Sequence, residues 1–149
     1  MSLSDMRQQV KVILQGVAGI GRIHDYERYA TRPEALKALF VQGGKLHGWT
    51  ITREKTPAVY RMNLHTERHH RFVLRGYYAL DDGAASEKTF QDLLEAIEVA
   101  FRSNVTLNDT AELAGPLQVE RVTPVLFAGV LCHFAELSLE AQELVDITL

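Results

Sequence analysis

The sequence predicts an α+β fold: one domain built on a single mixed, mainly antiparallel sheet, with about three helices packed largely on one face. The length of 149 residues suits one hydrophobic core, so residues 1–149 are expected to form a single domain. Apolar residues make up 46% of the chain and charged residues 23%, as in ordinary globular proteins. Predicted helices interrupt neighbouring antiparallel strands, which favours an α+β fold.

A first helix is predicted near the N-terminus, where apolar residues recur every three or four positions and share one face. These residues are Met6, Val10, Ile13, Leu14 and Val17. Ser2 or Ser4 is the expected cap, and the alternative for residues 1–3 is a disordered or cloning-derived extension. Glycines at 16, 19 and 21 end the helix. An extended segment is expected over 20–29, followed by a second helix from Pro33 to the glycine pair at 43–44.

Two antiparallel strands are predicted next, over residues 46–56 and 71–80. Both segments are rich in aromatic and β-branched residues, and Pro57 ends the first of them. The connection over 57–70 is polar and long for a hairpin, so it is expected to protrude from the domain. Residues 81–83, Asp-Asp-Gly, indicate a turn.

The strongest helical pattern covers residues 87–102. Ser86 is the expected N-cap, Glu87 suits the positive end of the helix dipole, and Arg102 suits the negative end. Its apolar stripe is expected to pack on the sheet, with Leu94, Ile97 and Phe101 of the helix contacting Phe72, Leu74, Phe127 and Leu131. Residues 125–135 are apolar on both faces, which is typical of a central strand. Residues 137–149 fit either a strand or a helix.

No set of residues in the sequence forms a convincing catalytic, cofactor or metal site. His65, His69 and His70 are expected in an exposed loop, and Thr66 replaces the glutamate that a zinc-protease helix needs after its first histidine. The glycines at 16, 19 and 21 follow a helix instead of a strand, the wrong order for a phosphate loop. Cys132 and His133 are neighbours on a strand and point to opposite faces. We therefore expect no enzyme activity, no cofactor and no bound metal.

The charges divide unevenly along the chain. Residues 1–80 hold thirteen Lys and Arg against six Asp and Glu, a net charge of +7, whereas residues 81–149 hold three against thirteen, a net charge of −10. Such a division indicates contact between copies of the chain, an acidic partner or a nucleic-acid surface, unless the charges mix in three dimensions. No nucleic-acid-reading motif is present, and the longest apolar run, residues 125–132, is too short to cross a membrane.

Residues 71–104 (RFVLRGYYALDDGAASEKTFQDLLEAIEVAFRSN) and 124–144 (PVLFAGVLCHFAELSLEAQEL), together with the opening helix and extended segment, resemble the tail terminator (tail completion) proteins of tailed bacteriophages and prophages. The resemblance implies an α+β structural protein without enzymatic activity. Members form rings, typically hexameric, that cap the tail tube and contact head-completion proteins. It also implies assembly in the host bacterial cytoplasm and a final place in the virion tail.

A ring needs two different surfaces on each subunit, and a basic first half and an acidic second half suit such a contact. The expected interface residues are Lys45, Arg53, Lys55, Arg61, Arg68 and Arg71 on the basic side and Glu136, Glu140 and Glu143 on the acidic side. Two other functions stay open at this point. They are a small histidine-dependent metal hydrolase and a prophage-encoded nucleic-acid-binding module.

Overall fold

A computed structural model describes residues 2–148 and shows an α+β fold. The helices in this range are α1 (Leu3–Gln15), α2 (Pro33–Ala38) and α3 (Ser86–Arg102), with a short 3₁₀ turn at Asp82–Ala84 before α3. The strands are β1 (Arg22–His24), β2 (Val41–Gln42), β3 (Lys45–Lys55), β4 (Ala58–Arg61), β5 (His65–Ala79), β6 (Leu113–Ala114), β7 (Gln118–Phe127) and β8 (Val130–Asp146).

The sheet is organised around the two longest strands, β5 and β8. They pair antiparallel without interruption from His65 opposite Asp146 to Ala79 opposite Cys132. On its other side, β5 pairs with β3 and then with β4, and the far side of β8 pairs with β7 and β6. The parallel pairing of β1 with β3 makes the sheet mixed, as predicted.

The main core lies between one face of the sheet and the helices α1 and α3. Helix residues in it include Met6, Val10, Leu14, Phe90, Leu94, Ile97 and Phe101, and sheet residues include Trp49, Ile51, Phe72, Leu74, Leu137 and Leu139. A smaller cluster on the opposite face holds Phe40, which follows α2, with Leu46 and Cys132. Two of the three helices therefore share a face, and α2 belongs to the other.

Ser2 and Leu3 begin the first helix. The Ser2 hydroxyl accepts a hydrogen bond from the backbone N–H of Asp5 at 3.1 Å, so Ser2 is the N-cap of α1. Leu3 is the first helical residue and packs against the main core. Ser2 and Leu3 therefore form the cap and the first turn of α1. Met1 lies outside the described residues.

The start of α3 differs from the prediction. Ala85, in the left-handed conformation with φ of 53°, occupies the cap position, and Ser86 is the first helical residue. The Ser86 hydroxyl instead accepts the N–H of Asp81 at 2.8 Å and is hydrogen-bonded to Nε2 of His133, also at 2.8 Å. Ser86 therefore joins the helix start to β8, a role that only the long-range contact with His133 could assign.

The predicted central strand over 125–135 is wrong, because this segment is the hairpin between β7 and β8. Ala128 and Gly129, with φ values of 50° and 81°, form its two-residue turn. Val125 pairs with Cys132, so odd positions of β7 share a face with even positions of β8. This places Phe127 beside the second cluster and leaves Leu131 52% exposed, which contradicts their predicted contact with α3. Residues 137–146 continue β8, so this part of the ambiguous segment 137–149 is a strand, and Leu149 lies outside the described residues.

The segment over 57–70 is also a β-hairpin and not an irregular connection. β4 pairs with the first residues of β5, from Ala58 opposite Arg68 to Arg61 opposite His65. Residues 62–64 form the turn, with Leu64 at a positive φ of 61°. The polar composition suggested a loop, but the long pairing with β8 keeps this part of β5 extended.

Ile97→Ala is expected to lower the free energy of unfolding by about 2–5 kcal/mol, because truncation leaves a cavity in a closed core. Ile97 is fully buried on the inner side of α3, whereas Val99 on the same helix is 47% exposed. Val99→Ala is the matched control and should cost less than about 1 kcal/mol. Urea denaturation measures both variants, and equal losses would contradict the docking of α3 on the sheet.

Candidate functional site: charged sheet face, apolar tip and apolar groove

The sheet face opposite α1 and α3 carries a network of ion pairs. Arg75 of β5 bonds to Glu136 of β8 at 3.0 Å, and His69 Nδ1 lies 2.9 Å from a Glu140 oxygen. Arg71 lies between two carboxylates, 3.3 Å from Glu54 and 3.2 Å from Glu120. The antiparallel register of β5 and β8 brings the basic and acidic parts of the sequence together within one chain.

This pairing decides where the predicted interface residues lie. Arg68 bonds to Glu143 at 3.2 Å on the helix-covered face, and Arg61 is paired with Glu67. Lys45 is 4.0 Å from Asp81, in an exposed pair. Arg68, Arg71, Glu136, Glu140 and Glu143 thus have partners inside their own chain. The uneven charge of the two halves therefore has an explanation that needs no second copy.

Arg53 and Lys55 differ from the other predicted residues. Both are exposed at the end of β3. Arg53 donates a hydrogen bond to the hydroxyl of Thr56 at 2.8 Å, and within residues 2–148 neither Arg53 nor Lys55 forms an ion pair. The positive charges of Arg53 and Lys55 are therefore accessible to another molecule.

A chain of hydrogen-bonded polar side chains lies buried at the edge of the main core. His70 is fully buried, with Nδ1 2.9 Å from the Thr56 hydroxyl and Nε2 3.1 Å from Glu143. A neutral His70 satisfies both contacts: Nε2–H donates to the carboxylate and Nδ1 accepts the hydroxyl proton. Arg68 completes the chain by donating to Glu143. The arrangement closes the end of the core with satisfied hydrogen bonds, which a buried polar group requires.

The titration of these groups follows from their surroundings. Burial lowers the pKa of His70, more than the neighbouring Glu143 raises it. Burial likewise lowers the pKa of His47. The hydrogen bond from Arg61 holds the pKa of Glu67 below its usual range, and the Ser138 hydroxyl does the same for Glu120. His70 and His47 therefore resist protonation, whereas Glu67 and Glu120 hold their charge.

The three histidines of the 65–70 segment lie in β5 and have separate partners. His65 pairs with Asp146 at 2.8 Å, His69 lies between Glu67 and Glu140, and His70 points into the buried chain. His70 lies on the helix-covered face of the sheet, and His65 and His69 lie on the opposite face. In the part of the chain that the structure describes, no group of three or more His, Cys, Asp or Glu side chains is placed to hold a metal ion.

Cys132 and His133 lie on opposite faces of β8, as the sequence predicts for neighbours on a strand. Cys132 is fully buried in the smaller cluster, and burial raises the pKa of its thiol to about 11. His133 stacks on Phe90 and bonds to Ser86. Within residues 2–148 no carboxylate bonds to His133, so the Ser86–His133 pair lacks the group that orients the base in a serine hydrolase.

The turn between β4 and β5 carries an exposed apolar surface, which we call the apolar tip (residues 59–64). Tyr60 is 81% exposed and Met62 is fully exposed, with Val59 and Leu64 beside them. All four residues of β4 are exposed. Sequence reasoning missed this surface because it treated 57–70 as polar. Val59-Tyr60, a strand-forming pair followed by Met62 and Leu64, was the signal that could have found it.

The opposite edge of the sheet carries a concave surface, which we call the apolar groove. It encloses about 280 Å³ between the end of α3 and β6, and its apolar walls include Phe101, Val105, Leu113 and Pro116. Glu98 and Arg102, an ion pair at 3.3 Å, also line the groove. Sequence reasoning did not find this surface because its walls come from distant segments.

A third apolar surface, the end patch, is formed by Leu126 and Leu131. These residues oppose each other in the β7–β8 hairpin and are 75% and 52% exposed. The end patch lies at the start of β8, whereas the apolar tip adjoins the end of β8, where Asp146 pairs with His65. The two surfaces are therefore at opposite ends of the longest strands.

No protein-family model matches this chain, and no curated protein matches it. Among the helices within residues 2–148, none has the length and hydropathy needed to span a bilayer.

Acidification is expected to destabilise the wild type as the pH falls below 6.5, the ordinary histidine pKa. The unfolded chain takes up protons there while folded His70 resists them, so the stability present above that pH is lost as the pH approaches the folded pKa. His70→Gln retains a donor for Glu143 and should reduce the loss of folding stability on acidification. His47, whose pKa is also lowered by burial, accounts for another part of that loss.

Urea denaturation of both proteins from about pH 7.5 to about pH 5 measures this difference. The reference is the high-pH end, where histidine is neutral in both states. An identical pH dependence of the two proteins would show that His70 does not titrate differently on folding.

Proposed function

We propose that this protein is a structural component of a phage or prophage tail, a tail terminator that caps the tail tube as a ring and contributes to the head–tail junction. One observation supports it most: the two opposite edges of the sheet carry unlike apolar surfaces, the apolar tip on one side and the apolar groove on the other. A closed ring needs such a heterologous pair, because each subunit presents a different surface to each neighbour.

The end patch supports contacts beyond the ring. A terminator touches a tube subunit on one side and a head-completion protein on the other, in addition to its two neighbours. Leu126 and Leu131 present apolar surface at one end of the long strands, away from the apolar tip. Exposed apolar patches of this kind mark interaction sites. We assign the end patch to the tube or head-completion partner.

The proposed partners are therefore the chain itself, as a ring that the family resemblance suggests is hexameric, the tail tube protein and the head-completion proteins. The proposal includes no membrane and no sequence-specific nucleic acid, and it places the protein in the host bacterial cytoplasm during assembly and in the virion tail afterwards. It is a structural role without catalysis, cofactor or metal.

The two alternative functions draw less support from the described residues. A histidine-dependent hydrolase would use His65, His69 and His70 together, yet each lies beside a different set of carboxylates or hydroxyls. A nucleic-acid module would use the basic residues of β5, but Arg71 and Arg75 are paired with glutamates of the same chain. Neither alternative has a specific observation in its favour.

Capping of tail tubes tests the proposal. Purified wild-type protein added to polymerising tube subunits is expected to stop elongation and to appear in electron micrographs as a ring at one tube end. Leu126→Lys should weaken capping, because a charge in the end patch opposes burial of an apolar contact. Val12→Lys is the matched control, since Val12 is exposed on α1, outside all three surfaces.

The length distribution of the tubes is the readout. Tubes that grow to the same length with and without the wild-type protein would overturn the tail terminator function. Equal capping by Leu126→Lys and Val12→Lys would overturn only the assignment of the end patch.

A further inference from the structure

We propose that the apolar tip of one copy inserts into the apolar groove of the next copy, so that the ring is held together by a repeated tip-in-groove contact. The choice of a second copy as the occupant rests on the proposed function. The position, shape and charge of the two surfaces support the contact itself.

The two surfaces lie on opposite edges at the same end of the sheet. β4 pairs with residues 65–68 of β5, which face residues 143–146 of β8, and β6 pairs with the adjoining Ala141 and Gln142 on the far side of β8. The order β4–β5–β8–β6 spans three strand spacings, roughly 14 Å. A subunit can therefore present the tip to one neighbour while its groove receives the tip of the other.

The shapes of the two surfaces are complementary. Met62 and Tyr60 project from a narrow two-stranded hairpin and make the tip convex. The groove is concave, and its walls are mainly apolar, with Val105 and Leu113 partly exposed along them. Methionine adapts its flexible side chain to irregular apolar space, and Met and Tyr are enriched in interface cores. Inserting both side chains would cover apolar surface on both partners at once.

The charges beside the two surfaces are of opposite sign. Residues 53–64, which lead into the tip, carry three basic residues and one acidic residue. Residues 92–112, which include four of the residues that line the groove, carry five acidic residues and one basic residue. Arg53 and Lys55 are exposed without an ion pair inside the described chain, and exposed Glu112 directly precedes Leu113 of the groove. Rim charges of this kind orient two partners, while the apolar insertion supplies affinity.

Disulfide trapping tests the contact directly. Met62→Cys and Leu113→Cys are made as separate proteins and then mixed under mild oxidation. A tip-in-groove contact is expected to give a cross-linked dimer that contains one copy of each variant. The native Cys132 does not interfere, because it is fully buried and its thiol pKa of about 11 keeps it protonated.

The matched control replaces the tip cysteine with one in the end patch. Leu126→Cys is similarly exposed but lies at the other end of the sheet, so its mixture with Leu113→Cys should give no mixed dimer. Cross-linking that is as efficient from Leu126→Cys as from Met62→Cys would overturn the specific contact. No mixed dimer from Met62→Cys and Leu113→Cys at high protein concentration would overturn it as well.

Sedimentation velocity measures how much the apolar tip and the apolar groove each contribute to self-association. Met62→Asp and Leu113→Asp should each weaken self-association about tenfold or more, as for central interface residues, and leave the thermal unfolding of the monomer unchanged because both sites are exposed. Reversal of Arg53 and Lys55 to Glu should slow association at low salt. Mixing that variant with a second one that carries both Glu98→Lys and Glu112→Lys should restore the rate of association.

Two results separate this contact from the proposed function. Normal tube capping by both Met62→Asp and Leu113→Asp, with unchanged self-association, would overturn the tip-in-groove contact and leave the terminator function in place. Specific trapping of Met62→Cys with Leu113→Cys, in a protein whose wild type never stops a tube, would support the tip-in-groove contact and overturn the terminator function.

Discussion

The pairing of β5 with β8 organises the whole sheet and the main core. It runs unbroken along the full length of β5, and every other strand except the short β1 and β2 is attached directly to one of these two. Its helix-covered face supplies Phe72, Leu74, Leu137 and Leu139 to the main core. Trp49 of β3 lies over Gly76 so closely that an added Cβ would come within 2.5 Å of its ring. The register of this one pair thereby positions both the core and the strands on either side.

The same pairing explains why the charge division does not create two charged halves of the molecule. β5 comes from the basic part of the sequence and β8 from the acidic part, so their register sets Arg75 opposite Glu136 and Arg68 opposite Glu143. A shift by one residue would place each arginine opposite an uncharged residue, so these pairs oppose a change of register. Because these charges are paired within the chain, the surfaces left for a second copy or another partner include the exposed apolar tip, groove and end patch. This is the physical reason that apolar contacts carry the proposed assembly, with Arg53 and Lys55 in a guiding role.

Local patterns in the sequence are sufficient to predict the α+β class, the single domain and the helices α1 and α3, because the spacing of apolar residues reports on them directly. The burial of Met6, Val10 and Leu14 on one face of α1 follows from a pattern visible within a dozen residues. The division of charge was also visible, and so was the separation of Cys132 from His133 across a strand. Strand boundaries were less accessible: the turn at Ala128-Gly129 divides an apolar run in which Gly129 is the single turn-forming residue.

The tertiary structure alone decided which residues meet. Ser86 exchanged its expected capping role for a hydrogen bond to His133, forty-seven positions away. The polar segment over 57–70 became a strand pair because β8 extends past the helices and supplies partners for its backbone. His70 joined Thr56 and Glu143 in a buried chain, although its neighbours suggested an exposed loop. Each of these outcomes depends on a contact between distant segments, and the energy of such a contact is absent from any local pattern of residues.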